Sequence, residues 1–401
     1  MKKIAIFLMT VIFAGGLLTS CKGDGYVANV TELQLASVSP ASGYSGGIIK
    51  ILGRNFSEVF GENRVFIGEL EAQVLEYNAW DLTVVLPAQE PGTYVITVQT
   101  PKGTISGLTF DYKEKPDHEY ILSTIAGGAI GLEDGNGAAA KMQNPEGLAM
   151  DANGVLWFTQ RGVAGWAIRQ MDKNFNVTTL MKTELPWQCC FDSKGAFYYT
   201  AKDKNWVGKI DKDGKFTQLP LTGGEIKAPM DVHFDLDGAM WLCSRNNNKV
   251  YKYVNNAVVK EYDINYPTCL TRDQKGRMIL GSTLAGYIYM LDNGEFKPIA
   301  GNGENAAAVN PDGTAGDTST AWIGQVNGIY AANDGTIWYT DVRHQTVRRL
   351  TPDASGDYAK GKVETIVSGF YPSDIYVTDD CTKVYVTSAT SNTIRMIEIF
   401  F

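Results

Sequence analysis

One pattern returns six times between residues 145 and 385, and it restricts this chain more than its composition does. A residue that is usually proline opens each unit. Two residues and an apolar run follow, then a glycine nine positions after the opening residue and a second apolar run. The units begin at Pro145 (with Gly154 and Trp157), Pro186 (Gly195, Tyr198), Pro229 (Gly238, Trp241), Pro267 (Gly276, Ile279) and Val326 (Gly335, Trp338). A sixth begins at Pro372, where Asp379-Asp380-Cys381 supplies the turn and Tyr385 the aromatic position. The spacings are 41, 43, 38, 59 and 46 residues. A unit of about four short strands cannot bury both faces alone, so the units are expected to close into a ring.

The reading is therefore all-β: a six-bladed β-propeller over 119–401. The last unit has room for only three strands before Phe401, so residues 120–126, stranded ahead of the first proline, are expected to supply its outer strand. The long fourth spacing contains 301–324, which echoes 127–143; each holds an Asp-Gly pair (Asp134-Gly135, Asp312-Gly313). The anchor Asn144-Pro145-Glu146-Gly147-Leu148 and the run 338–350 resemble NHL repeats. That resemblance covers most of 120–401 and is loosest in the middle units.

Ahead of this lies a different grammar. Ile49-Lys50-Ile51-Leu52, Val65-Phe66-Ile67, residues 82–86 and residues 94–98 alternate with period two between glycine- and proline-rich turns, as half-buried strands do. About seven strands in some eighty residues indicate a small β-sandwich over 34–114. Ser39-Pro40, Gly46-Gly47, Gly53-Arg54-Asn55-Phe56, Gly92-Thr93-Tyr94 and Phe110-Asp111-Tyr112 resemble the IPT/TIG family of immunoglobulin-like domains, which implies a spacer or docking module. Tyr77 and Trp80 are read as core aromatics of this domain.

The chain opens Met1-Lys2-Lys3, runs apolar from Ile4 to Leu18 and reaches Leu18-Thr19-Ser20-Cys21. Charge, apolar stretch and small residues in that order read as a secretory signal over 1–21. The apolar stretch is shorter than the ~20 residues of a membrane span. Leu-Thr-Ser-Cys resembles a bacterial lipobox, which implies lipid on Cys21. Residues 22–33 read as a flexible tether. Asp24, just past that cysteine, resembles the surface-export signal of Bacteroidota lipoproteins. The expectation is thus a lipid-anchored protein of the outer membrane, displayed on the cell surface, the periplasm-facing leaflet being the alternative. IPT/TIG followed by NHL on a lipoprotein resembles Bacteroidota envelope proteins linked to glycan uptake, which implies an outer-membrane transporter as partner.

The formal charge is −8, and −10 once Lys2 and Lys3 leave with the signal. A net acidic chain argues against nucleic acid, whose binding rewards clustered Lys and Arg. Cys189, Cys190, Cys243, Cys269 and Cys381 fit no zinc spacing, and a Cys243–Cys269 disulfide is one arrangement that they leave open. Asp211-Lys212-Asp213-Gly214 and Asp235-Leu236-Asp237-Gly238 read as hairpin turns rather than calcium loops, since the remaining ligands are missing.

Propellers present ligands to the face where inner strands begin. Superposing the repeats puts Trp187-Gln188 there, with Arg161, Trp166, Lys202, Trp206, Arg245-Asn246, Asp341, Arg343 and His344 on loops of the same side. Indole faces among Arg, Asn and Asp suit sugars. The candidate ligand-binding residues are Trp166, Trp187, Gln188, Trp206, Arg245, Asn246, Asp341 and Arg343, and no catalytic residue is assigned. The reading favours non-catalytic glycan binding without a cofactor. Its rivals are a protein-interaction scaffold and a metal-dependent hydrolase or lyase of the six-bladed type, with calcium on the oxygens of Glu146, Asp231, Asn327 and Asp374.

Overall fold

The structure, a computed structural model, describes residues 32–43, 48–112, 118–306, 308 and 311–400. The lipobox with Cys21 lies outside them, as does the tether up to residue 31. Among the described residues no helix is long and apolar enough to cross a membrane. The chain divides into two compact units, Met1–Pro116 and Asp117–Phe401.

In the first unit eight strands form one continuous ladder wrapped around an apolar core. Its strand Leu70–Tyr77 changes partner along its length: Leu70 to Ala72 pair with Arg64–Ile67, and Gln73 to Tyr77 pair with Asp81–Val85. The alternation read from Ile49 and Ile51 holds, both being buried between exposed Ile48, Lys50 and Leu52. Leu33, at the end of the expected tether, is buried in this core. A side chain at Gly53 would collide with the Phe56 ring and the Gln34 carbonyl, so the Gly-Arg-Asn-Phe segment is a packing motif. Trp80 departs from its expected place: it is 62% exposed, with the Arg54 guanidinium 5.8 Å from its ring centre. Tyr77 does pack against the core.

The second unit is a six-bladed β-propeller. Six antiparallel sheets follow one another, with inner strands Pro145–Met150, Pro186–Phe191, Pro229–Phe234, Pro267–Arg272, Val326–Ala331 and Ile375–Val377. The ring closes as the sequence suggests: Glu119–Gly127 pairs along Thr393–Phe400 as the outer strand of blade 6. The periodic glycine has a local cause. In blades 1 to 4, Asp151, Asp192, Asp235 and Asp273 each accept two main-chain N–H bonds of 2.8–3.1 Å across the first hairpin. That fold of the chain sets φ at Gly154, Gly195, Gly238 and Gly276 to +77° to +82°, which L side chains rarely adopt. Asp211 makes the same turn, accepting from the Asp213 and Lys215 N–H groups.

A threonine staple joins neighbouring blades. Thr200 Oγ1 accepts from Gln188 N on its own blade (3.2 Å) and donates to Met230 O on the next (3.0 Å). Thr340 bridges Gly328 N and Ser373 O in the same manner (2.8 and 3.0 Å). Thr159 links Gly147 N to Trp187 O, and Thr387 links Asp374 N to Glu146 O, which stitches blade 6 to blade 1. Cys189, Cys190, Cys243, Cys269 and Cys381 are all buried free thiols, so no Cys243–Cys269 disulfide forms.

Candidate functional site

The inner strands carry one polar ring deep in the axis and one at its mouth. Two residues after each opening position stand Gly147, Gln188, Asp231, Cys269, Gly328 and Asp374. Gln188 on blade 2 extends to blade 5, the opposite one, where its Nε2 donates to Asn327 O at 2.8 Å. Its Oε1 is buried with no partner among the described residues. Asp231 on blade 3 accepts from Val232 N and from Leu270 N on blade 4, both at 2.7 Å. Asp374 on blade 6 accepts from Leu148 N on blade 1 at 2.7 Å. Glycine at 147 and 328 leaves room: a Cβ at Gly147 would lie 2.8 Å from Gln188 Oε1, and one at Gly328 would strike Asp374 Oδ1.

These carboxyls are hard to ionise. Burial pushes Asp231 up to about 7 against the pull of its two N–H donors. Burial raises Asp374 well above the carboxylate range too, and the nearby Asp231 adds to that. His233, in the same channel, is pushed down to about 4 by burial, with Arg272 acting in the same direction. The cavity they line, with Leu148, Cys190, Tyr330 and Tyr376, measures about 220 Å³. Ligand pockets usually run to 300–1,000 Å³, so the axis suits water or a small group better than a sugar.

The mouth is built differently. Glu146 is buried, and its Oε1 meets Arg161 Nε at 2.8 Å and Nη2 at 2.7 Å. Burial raises the Glu146 pKa, while the Arg161 charge opposes that rise. The Arg161 guanidinium lies 4.1 Å from the Trp187 ring centre, and the Lys202 ammonium lies 3.9 Å from it. Arg161, Lys202 and Arg245 occupy one position, directly after the second strand, in blades 1, 2 and 3. Blades 4, 5 and 6 carry Thr283, Val342 and Ala389 there. Trp166, on the Arg161 loop, is 38% exposed, and Asn246 is exposed beside Arg245.

Several expected site residues have other roles. Asp341 is fully buried; its Oδ2 accepts from Gly324 N (2.9 Å), pairs with Arg348 (3.2 Å) and bonds His344 Nδ1 (2.8 Å), and its Oδ1 accepts from His344 N (3.2 Å), so no oxygen of it is offered to a ligand. Trp206 packs in the apolar cluster between blades 1 and 2, against Tyr199 and Phe216. Trp187 holds cations rather than a bare stacking face. Arg343 is exposed on blade 5, apart from the three-blade row of cations. Glu146, Asp231 and Asp374 have their carboxylates engaged as above, whereas Asn327 contributes its main-chain carbonyl to Gln188. Among the described residues no group of three or more His, Cys, Asp or Glu could hold a metal ion.

Sequence reasoning missed one device altogether. Arg169 and Arg348, on the third strands of blades 1 and 5, are fully buried beneath the two echoing loops. Arg169 donates to Glu133 O, Lys141 O, Gln160 Oε1 and Asp134. Arg348 donates to Pro311 O, Trp322 O, Asp312 and Asp341. The signal available was the repeated Asp-Gly of those loops, whose aspartates are the receiving groups.

Comparison with known proteins agrees with this architecture. Residues 33–112 match the profile of the IPT/TIG domain. No curated protein sequence matches the chain. Among solved structures, an auxiliary nutrient binding protein from Bacteroides thetaiotaomicron VPI-5482 is similar at TM-score 0.60 and 15% identity, covering 92% of this chain and 97% of that one. One of the same description from Bacteroides ovatus ATCC 8483 gives 0.58 and 16%, over 92% and 98%. A gluconolactonase from Xanthomonas campestris gives 0.51 and 14%, over 65% and 87%. At such identities the likeness is one of fold, and the chain joins an immunoglobulin-like IPT/TIG domain to a six-bladed β-propeller.

Proposed function

We propose that this chain is a non-catalytic envelope lipoprotein with an NHL-type propeller, which binds a glycan at the propeller mouth for a polysaccharide-uptake system. The observation that carries the reading is the mouth of blades 1 to 3, where Arg161, Lys202 and Arg245 lie within electrostatic range of one another around Trp187, and an exposed indole, Trp166, stands five residues along the Arg161 loop. Apolar sugar faces stack on indole, and hydroxyls accept hydrogen bonds from cationic donors. Similarity to structures described as auxiliary nutrient binding proteins supports it. In this reading lipid on Cys21 holds the protein to the outer membrane, facing the cell exterior, with a transporter as partner.

A metal-dependent hydrolase or lyase is less well supported, since Glu146 is neutralised by Arg161 and both axial aspartates accept main-chain N–H groups. A glycan array probed with the full chain tests the binding role. At least one saccharide is expected to bind, with loss in Trp166→Ala; silence across the array overturns the reading. Cys21→Ala is expected to move the protein from the membrane to the soluble fraction, and retention on the membrane would refute the anchor.

A further inference from the structure

The cations at the mouth are arranged asymmetrically, and two of the three enter no ion pair among the described residues. In a chain of net charge −8, three consecutive blades place Arg161, Lys202 and Arg245 at equivalent positions, and the three opposite blades place none there. Only Arg161 has a carboxylate, Glu146. Among the described residues neither Lys202 nor Arg245 forms an ion pair, and Arg245 Nε is buried with no hydrogen-bond partner. Trp187 offers Arg161 and Lys202 its π-electron face, which steadies them without neutralising them. Burial holds the Lys202 ammonium below its ordinary value, and Arg161 and Arg245 push it the same way, against Asp203 and Glu146. Cations crowded together and partly desolvated are a poor arrangement for stability and a good one for receiving an anion.

We propose that the mouth over blades 1 to 3 binds the anionic group of an acidic saccharide, a carboxylate or sulfate ester, with Lys202 and Arg245 as its ligands and Arg161 as the adjoining wall. This rests on the glycan reading above and names the class of glycan. Two oxygens of a carboxylate or of a sulfate ester accept fork-like donation from Arg245 while Lys202 acts as a point charge. An uncharged sugar would leave both cations uncompensated beneath it.

Affinity electrophoresis of the full chain in detergent, through gels holding polygalacturonate, dextran sulfate, unsubstituted dextran or polyglutamate, tests this. Retardation by polygalacturonate or dextran sulfate but not by dextran is expected, and whichever acidic gel retards identifies the group. Lys202→Met and Arg245→Met should each weaken it about tenfold or more, as befits loss of a charge-assisted bond, and Lys202→Arg should largely restore it. Retardation by dextran equal to that by the acidic gels overturns the acidic-saccharide inference and leaves the glycan reading standing. Polyglutamate binding as tightly as the better acidic saccharide overturns the saccharide assignment. Undiminished binding in both Met variants overturns the site. If no saccharide binds in these gels or on the array, the glycan reading falls with the inference.

Discussion

Blades 1 and 5 solve one problem with two chemistries. Each is preceded by a long loop, and each pins that loop with a fully buried arginine from its third strand, Arg169 or Arg348. The loop aspartates also match: Asp134 accepts from Thr179 Oγ1 at 2.7 Å and Asp312 from Thr365 Oγ1 at 2.8 Å. The blades part at the last residue of the second strand. Blade 1 has Gln160 there, a neutral acceptor 2.9 Å from Arg169. Blade 5 has Asp341, which also recruits His344. Arg169 therefore faces a single carboxylate, one that is 48% exposed, whereas Arg348 is matched by Asp312 and the buried Asp341. Burial leaves Arg169 below its ordinary pKa. It would do the same to Arg348, but Tyr339, Asp341 and Asp312 more than offset it. A repeated scaffold can hold the same loop by a mostly neutral network or by an ionic one; both lose a depressed carboxylate in acid, Asp134 or Asp341, but only the ionic one loses a fully buried one.

Removing the arginines should break the comparison most visibly. Arg348→Met strands a buried carboxylate and is expected to cost about 3–5 kcal/mol in urea unfolding. Arg169→Met leaves main-chain carbonyls and Gln160 unpaired and should cost about 1–3 kcal/mol. Equal losses would show that the second carboxylate adds nothing. A pH series sharpens the point. Burial raises the Asp341 carboxyl, but the His344 bond and the Arg348 charge bring it below its ordinary value. A depressed carboxyl stabilises the fold above its unfolded pKa, and that contribution disappears as pH falls through the folded value. Asp341→Asn should thus be less stable than the parent at pH 7, with a gap that closes below about pH 4; a gap constant with pH would refute the ionic account. The smallest effects concern what the two blades share. Thr159→Val and Thr340→Val each remove one inter-blade staple and should cost about 1 kcal/mol apiece, measured by thermal unfolding. A marked inequality between them would mean that the blades differ in more than their loop networks.

Much of the architecture is legible because its causes are local. In blades 1 to 4 the glycine after the opening residue marks an Asp-capped hairpin whose bonds lie within five residues, and period-two burial in Ile48–Arg54 follows from strand geometry alone. Even the closing strand 119–127 is readable, from a unit one strand short. The site is less legible. Arg161, Trp187 and Lys202 can be placed on one side of the ring from the repeat, but nothing in the repeat says that the two cations cover the indole. Asp341, at the end of a second strand, and Trp206, at the start of a third, flank mouth loops yet turn inward, because Arg348 and the cluster between blades 1 and 2 claim them.

The sequence by itself determined the number of blades, the order of strands and turns, and the side of the ring on which each loop emerges. These follow from hydrogen bonds and side-chain alternation within a few residues of chain. Tertiary structure alone decided which charges are spent and which are free. Glu146 neutralises Arg161, Asp341 and Asp312 flank Arg348, and Gln188 reaches Asn327 across the axis. Among the described residues Lys202 and Arg245 enter no ion pair. Those outcomes depend on side chains from separate repeats meeting when the ring closes, at distances that the period of a sequence does not encode.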